Sequence, residues 1–441
     1  MAAAVFLVIP ITGLWAAVSP NAPPPGLWTW VLCAYLVTHW SELRRGSWTL
    51  LGLFGLVGIS AWLWTGVDPS AAIQHAGLIA ALMGALALMG KAAEESPDIT
   101  MAARYLTSQA PQNRYLALTL GTHLLSVLLN FGAVLVMTSL LAKGRDQLAP
   151  PLVIRSTLAI LRGFAGMPFW SPLALSVVIT ISVLPDVAYL SIFPAGLAFA
   201  ATYMAIGALM DAGQGRAEPA PLRPVVRARS ERVALWRVAL RAALLLGVSL
   251  GLVSAGSSVV AAVLVASVTL ASLWLGVQWC ADARAVTTAT IARAGGSMVN
   301  ETAIVAGAAF AGATIVSALQ SLETSAPVMS VLVTAVVASV LPWLMVAGGA
   351  LALNPIITGS LFLGVLQSAW PAAAINWLAL AVIFGWGITA GGTPFTANVL
   401  IAARIVRRPG AMLTYRDNAA LTLTMLIIAS LTIAVGVLVS A

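Results

Sequence analysis

A segment rich in glycine, threonine and proline, residues 385–398, interrupts a long apolar stretch near the C-terminus. Pro394 has no N–H and its ring clashes with the preceding turn, while the neighbouring glycines tolerate open dihedrals. A helix broken in lipid leaves free N–H and C=O groups, which are accepted only where they line a cavity or are bonded by neighbours. Hydroxyl and amide side chains can join that backbone in binding a polar ligand. We therefore expect a binding site that includes Gly391, Gly392, Thr393, Pro394, Thr396 and Asn398.

A second segment, residues 162–172, also contains glycine, proline and a hydroxyl side chain, and it begins with the cationic Arg162. Either segment alone is explained by an ordinary proline kink, which is common in membrane helices. Two such elements in corresponding places favour a binding site, because paired broken helices form the solute site of many transporters. We therefore add Arg162, Ser171 and Pro172 to the expected site.

Two asparagines, Asn130 and Asn354, each follow a leucine within apolar surroundings. A buried carboxamide needs hydrogen-bond partners, because an unpaired amide in an apolar medium costs a few kcal/mol. One interpretation is contact with a ligand, since both precede the broken elements at matching places. The other is a hydrogen bond between packed helices. Both interpretations stay open at this stage.

Three charged residues lie in mostly apolar stretches. An arginine inside a membrane indicates function by default, and Arg162 lies deep enough to neutralise an anionic solute. Arg155 lies closer to the expected cytoplasmic end, where its side chain can reach the interface. Glu301 is expected to open a membrane segment, either as a favourable charge at a helix N-terminus or as a relay for a coupling ion, Na⁺ or H⁺.

The composition places these residues in a membrane. Of 441 residues, 60% are hydrophobic and only 8% are charged, whereas a soluble domain is typically about a quarter charged. This excludes a cytosolic enzyme, a disordered chain and a disulfide scaffold. The excess of arginine fits cytoplasmic loops, so we expect membrane lipid and no nucleic acid as a partner. The cysteine and histidine spacings match no metal site, and we expect no cofactor.

Long charge-free runs predict an all-α polytopic membrane protein with about eleven spans and additional re-entrant pieces. The apolar runs are continuous rather than alternating, which argues against a barrel. Two runs, 151–184 and 372–403, can be broken crossings or re-entrant pairs. The runs are 4–18, 27–39, 46–67, 69–90, 115–142, 163–185, 187–210, 242–281, 324–403 and 418–441.

An arginine- and proline-rich segment, residues 211–232, divides the chain into two hydrophobic halves, 1–210 and 233–441. The halves share a weak internal match, in which residues 170–179 correspond to 392–401. The Leu-Asn pairs precede these stretches at nearly the same spacing. This order predicts two sequence repeats with a cytoplasmic linker between them.

Charge predicts that the two repeats are inverted. Residues 403–416 contain four basic side chains, whereas the equivalent residues 181–190 contain none. Before the broken elements the bias reverses, because Lys143 and Arg145 have no counterpart in residues 364–373. Basic loops stay in the cytoplasm, so equivalent loops are expected on opposite sides of the membrane.

These features predict a secondary active transporter that moves a small anionic solute by alternating access in a bacterial inner membrane. No phosphate-binding loop of the form GxxxxGK(S/T) is present, so we expect no ATP-driven transport. No grouping of Ser, His and Asp residues indicates a catalytic triad, so we expect no enzyme. Two alternatives remain. One is an anion channel, and the other is a structural or assembly subunit whose glycine and proline breaks serve packing only.

The order of an amphipathic piece, a hairpin-like segment, a broken helix and a closing span, given twice, resembles the ion transporter superfamily. That superfamily includes the divalent anion–sodium symporters and the arsenite permeases. Residues 392–398 are similar to the Thr-Pro-Pro-Asn region of the symporters' broken helix, and residues 278–297 and 91–114 to their amphipathic connectors. Asn300-Glu301 is similar to an Asn-Glu pair of arsenite permeases. The resemblance implies an elevator mechanism and a homodimer.

Overall fold

The computed structural model describes residues 2–19, 23–143, 148–213, 229–281, 288–321 and 327–440. These residues form helices and connecting turns, without any strand, which confirms the predicted all-α class. Most of the expected linker 211–232 lies outside the described residues. The same is true of Arg145 and of residues 282–287 in the expected second amphipathic connector.

The first half of the chain contains ten α-helices among the described residues. Short 3₁₀ turns also occur between them, at Trp40–Glu42 and at Met167–Phe169. The helices are α1 (Ala2–Val18), α2 (Pro25–Thr38), α3 (Arg45–Thr65), α4 (Ser70–Glu94), α5 (Pro97–Thr107), α6 (Pro111–Leu129), α7 (Gly132–Lys143), α8 (Pro150–Ala165), α9 (Leu175–Val183) and α10 (Tyr189–Gly213).

The described part of the second half contains eight more α-helices and a π-helical turn at Met412–Arg416. Here α13 is the longest helix. The helices are α11 (Arg229–Ser254), α12 (Val259–Ala281), α13 (Thr288–Ser321), α14 (Val331–Ala350), α15 (Pro355–Leu366), α16 (Ile375–Gly392), α17 (Ala397–Val406) and α18 (Ala419–Ser440).

Ten helical segments of the described chain are long and apolar enough to cross a membrane. A span needs roughly twenty apolar residues to cross about 30 Å of hydrocarbon. The chain is therefore a multi-pass membrane protein. The runs 4–18 and 27–39, which the sequence-based number includes as weaker spans, form the shorter apolar helices α1 and α2.

Two apolar runs fold as helical hairpins. In the first, α6 and α7 meet at Asn130, whose φ of 49° is rare outside glycine and is tolerated by asparagine better than by most residues. In the second, α14 and α15 are joined by residues 351–354, where Ala352 has a φ of 63°. The expected single run 115–142 is thus two antiparallel helices, because the turn at Asn130 ends α6.

Two other runs, the ones whose form the sequence left open, are helices interrupted by a non-α-helical segment of turns. Break 1, defined as residues 166–174, separates α8 from α9, and break 2, residues 393–396, separates α16 from α17. The hairpin helix α6 packs on α8, and α14 packs on α16. The second hairpin helices cross over: α7 packs on α17, and α15 packs on α9. The two hairpins and the two broken helices therefore form one packed unit.

Candidate functional site

Arg162 lies one turn before the end of α8, and its side chain is only 3% exposed. Its Nη1 donates to the Tyr115 hydroxyl at 3.0 Å and to the carbonyl oxygen of Gly207 at 3.2 Å. Its Nε donates to Asn418 Oδ1 at 2.9 Å. These partners come from α6, α10 and the start of α18. The guanidinium therefore lies where four helices meet.

All these partners of Arg162 are neutral. Among the described residues, no carboxylate forms an ion pair with Arg162, and its Nη2 makes no hydrogen bond. A buried charge without an opposite charge costs several kcal/mol, which hydrogen bonds offset only in part. The site therefore carries an uncompensated positive charge and favours an anion.

The same network reaches break 2. Asn418 is 1% exposed, and its Nδ2 donates to the carbonyl oxygen of Gly391 at 3.0 Å, two residues before the break. A Cβ added at Gly391 would lie 3.0 Å from Ala165 Cβ and 3.0 Å from the Tyr203 hydroxyl oxygen. The absence of a side chain at Gly391 thus lets α16 approach the end of α8 beside break 1.

Break 1 is held by backbone and aromatic contacts around Trp170. Its Nε1 donates to His123 Nε2 at 3.2 Å, and its carbonyl oxygen accepts a 2.7 Å bond from the Tyr189 hydroxyl. Because His123 Nε2 accepts, its Nδ1 carries the proton and donates to the Gly163 carbonyl oxygen at 3.1 Å. Ser171 is fully buried, and its hydroxyl accepts from the backbone N–H of Leu173 at 3.3 Å.

Break 2 contains two hydroxyls that bond to their own chain. Thr393 Oγ1 donates to the Thr389 carbonyl oxygen at 3.0 Å, and Thr396 Oγ1 donates to that of Ala390 at 3.1 Å. Thr396 precedes α17 without a side-chain cap, so the first N–H groups of that helix are not capped by it. Asn398 is 2% exposed, and its Oδ1 is buried without a hydrogen-bond partner. Of the expected polar side chains in this segment, Asn398 retains a free buried acceptor.

The two hairpin asparagines act locally in this conformation. Asn354 Oδ1 accepts a 2.9 Å bond from the backbone N–H of Ile356 and so caps α15. Asn130 forms the turn itself, and its carbonyl oxygen accepts from the backbone N–H of Ala133. The hairpins still reach the breaks: Phe131 stacks on Phe164 with 5.5 Å between ring centroids, and a Cβ at Gly349 would lie 2.9 Å from Thr393 Oγ1.

Arg155 forms a bidentate ion pair with Asp211. Its Nε and Nη2 donate to the two carboxylate oxygens, each at 2.8 Å, and both side chains are largely buried. The sequence favoured a side chain that reaches the membrane interface. The structure instead gives Arg155 a partner 56 residues away, on α10, so this arginine is neutralised where Arg162 is not.

Glu301 lies inside α13, thirteen residues after its start, and does not open a helix. The expected helix start is wrong because Gly295 and Gly296 continue the helix, with His39 packed against Gly295 and the Glu42 side chain against Gly296. The role of Glu301 in ion coupling stays a prediction. The preceding residue, Asn300, accepts from the backbone N–H of Arg44 at 2.7 Å and donates to the Glu42 carbonyl oxygen at 2.9 Å. Asn300 is therefore a packing residue between α3 and α13.

Sequence reasoning missed two residues of the network, Tyr115 and Asn418. Each is the first residue of an apolar run, where the sequence indicates only the start of a membrane span. A signal for Asn418 was present, because it is a carboxamide directly after Asp417 and begins a run of 24 uncharged residues. No family model matches this chain, and no curated protein matches it with significant similarity.

Proposed function

We propose that this protein is a secondary active transporter of a small anionic solute. The observation that carries the proposal is the buried guanidinium of Arg162, which bonds to neutral groups and to no carboxylate among the described residues. A cation in that setting is stabilised by an anion that enters the site. An anion that binds there can use bidentate hydrogen bonds, for which the guanidinium is suited.

The arrangement of helices supports alternating access. Each half has a hairpin, then a broken helix, then a long apolar helix, and the second helix of each hairpin packs against the broken helix of the other half. Inverted repeats with broken helices at a central site are typical of secondary transporters. We infer that the halves are inverted repeats and that the unit of hairpins and broken helices moves as the carrier of an elevator.

The helix ends at the breaks support an anion rather than a cation as the solute. Both α9 and α17 begin directly after a break, and neither has a side-chain cap. A helix N-terminus carries about half a positive charge and offers free N–H groups. Together with Arg162 these ends add positive potential to the site. The free Oδ1 of Asn398 can accept from a donor on the solute or coordinate a coupling cation.

Several further features belong to the same proposal. They are membership in the ion transporter superfamily, a homodimeric assembly, coupling to Na⁺ or H⁺, and residence in a bacterial inner membrane. Their support is the order of elements together with the inverted charge bias of the loops.

A counterflow assay tests the proposal. Purified protein is reconstituted in liposomes loaded with a concentrated unlabelled anion, and uptake of the labelled anion from a dilute external solution is followed without an imposed ion gradient. A transporter that alternates between two states is expected to show transient accumulation that saturates with external anion. A channel gives conductance that does not saturate and no accumulation. A structural subunit gives no flux for any member of a broad anion panel.

A further inference from the structure

A cavity lies at the ends of the broken helices that are away from the breaks. It has a volume of about 440 Å³ and lies between the start of α8 and the end of α17. Val153 and Val406 line it and belong, with Leu413, to a small apolar cluster separate from the main core. Leu148 and Ile154 pack on this cluster and also line the cavity. The cavity thus has an apolar floor contributed by both halves of the chain.

The mouth of the cavity is basic. Arg407 is exposed, and its side chain has no hydrogen bond or ion pair with the described residues. It follows the last residue of α17 in a left-handed conformation, with a φ of 54°. That position normally takes glycine, because a Cβ is strained there. A long cationic side chain at a position that favours glycine suggests a use for that side chain.

The second arginine at the mouth is held in place. Arg408 donates from Nε and Nη2 to the two carboxylate oxygens of Asp417, at 2.8 and 3.0 Å. This pair fixes the turn after α17 and satisfies Asp417. Arg407 is consequently the charge at the cavity that remains available to a ligand.

The cavity lies where membrane-spanning helices end. The candidate span Ala372–Val406 stops at its edge, and the candidate span Pro150–Phe169 starts there. Arg404, in the last turn of α17, and Arg416, in the connection that follows, are both exposed. The charge distribution predicts that this connection is cytoplasmic, and the cytoplasmic leaflet is rich in anionic lipid.

We propose that this cavity binds an anionic phospholipid, with the phosphate on Arg407 and the first part of an acyl chain on the apolar floor. Basic pockets between helices at this depth bind phospholipid headgroups. A soluble anion would satisfy Arg407 and leave Val153, Ile154 and Val406 facing water. A zwitterionic lipid would fill the floor but bring its own cation to the arginine. Only an anionic lipid fits both surfaces.

The experiment measures lipid binding to the full chain in detergent by native mass spectrometry and thermal shift. The probes are phosphatidylglycerol, phosphatidylcholine and inorganic phosphate. Phosphatidylglycerol is expected to bind and to raise the unfolding temperature, since a ligand that binds the folded state stabilises it. Arg407→Gln is expected to weaken phosphatidylglycerol binding about ten- to a hundredfold, as for the loss of a charged hydrogen bond.

The matched control is Arg404→Gln, which removes an exposed arginine from the last turn of α17, three residues before Arg407, at a position that does not line the cavity. General attraction of a surface arginine to anionic lipid changes affinity only about fivefold. Ile154→Trp fills the floor without altering charge and is expected to reduce binding as well. Arg407→Gly removes the side chain, relieves the left-handed strain and so keeps the fold intact while losing the lipid.

The proposal is wrong if Arg404→Gln and Arg407→Gln weaken phosphatidylglycerol binding equally, or if Ile154→Trp has no effect. It is also wrong if phosphatidylcholine or inorganic phosphate stabilises the protein as much as phosphatidylglycerol. None of these measurements involves transport, so the outcome is independent of the proposed function.

Discussion

Arg162 and Asn418, 256 residues apart in the sequence, are joined by a 2.9 Å hydrogen bond inside the membrane domain. The bond connects α8 to the start of α18, and the other end of the Asn418 carboxamide donates to the Gly391 carbonyl oxygen beside break 2. A neutral residue therefore stands where a carboxylate would have neutralised the arginine. The positive charge of Arg162 therefore remains available to a ligand.

Removal of that charge should act on anionic ligands selectively. We expect Arg162→Gln to weaken the binding of an anionic solute about ten- to a hundredfold, because a charged hydrogen bond is lost. The binding of a neutral analogue should weaken much less. Arg155→Gln is the matched control. It leaves Asp211 unpaired and lowers the free energy of unfolding by about 1–3 kcal/mol, since the pair is partly exposed, without changing affinity. Isothermal titration and denaturant unfolding distinguish the two; equal affinity losses would contradict the assignment.

Asn398 and Asn354 offer a similar comparison between ligand binding and stability. Asn398→Ala removes a buried acceptor that has no partner, so the free energy of unfolding should be unchanged or slightly higher. Ligand affinity should fall about tenfold. Asn354→Ala removes the cap of α15 and should cost about 1 kcal/mol of stability with affinity intact. The measurements are thermal unfolding and titration of each variant. An Asn398→Ala protein with wild-type affinity would remove this residue from the site.

Close packing of break 1 should be sensitive to a single methyl group. A Cβ at Gly196 would collide with the carbonyl oxygen of Phe169, which is backbone and cannot move aside alone. We expect Gly196→Ala to displace break 1 and to reduce solute affinity and stability together. Gly247→Ala, in α11 with open space around it, should be neutral or stabilising by about 0.5–1 kcal/mol. The same loss in both variants would show that helix composition, and not break 1, is responsible.

The orientation of the two halves can be tested by labelling. Cys33 and Cys280 are both exposed, so they are first replaced by serine. Single cysteines at Asp186 and Tyr415, which are exposed in equivalent connections, are then treated with a membrane-impermeant maleimide on intact cells. Inverted repeats predict that only Asp186→Cys reacts from outside. Reaction of both residues from the same side would refute the inversion.

Local features of the fold could be predicted from sequence, and long-range ones could not. The breaks near Pro172 and Pro394 follow from missing N–H groups and permissive glycines, which act within a turn. The partners of Arg162 lie 47 and 256 residues away, and no local pattern links them. The wrongly predicted helix start at Glu301 has a tertiary reason. Gly295 and Gly296 pack against the connection between α2 and α3 and do not end a helix.

The most direct test of the central claim is anion flux in proteoliposomes with wild-type protein and with Asn418→Asp. The substitution is nearly isosteric and places a carboxylate 2.9 Å from Arg162 Nε, so the charge is neutralised within the site. It also removes the 3.0 Å bond from Asn418 Nδ2 to the Gly391 carbonyl oxygen, and Asn418→Ala, which loses the same bond without adding a charge, is the control. We predict saturable, gradient-dependent anion uptake by the wild type, and in Asn418→Asp a loss of uptake greater than in Asn418→Ala. Absence of saturable uptake across a broad anion panel, or unchanged uptake by Asn418→Asp, would contradict the account.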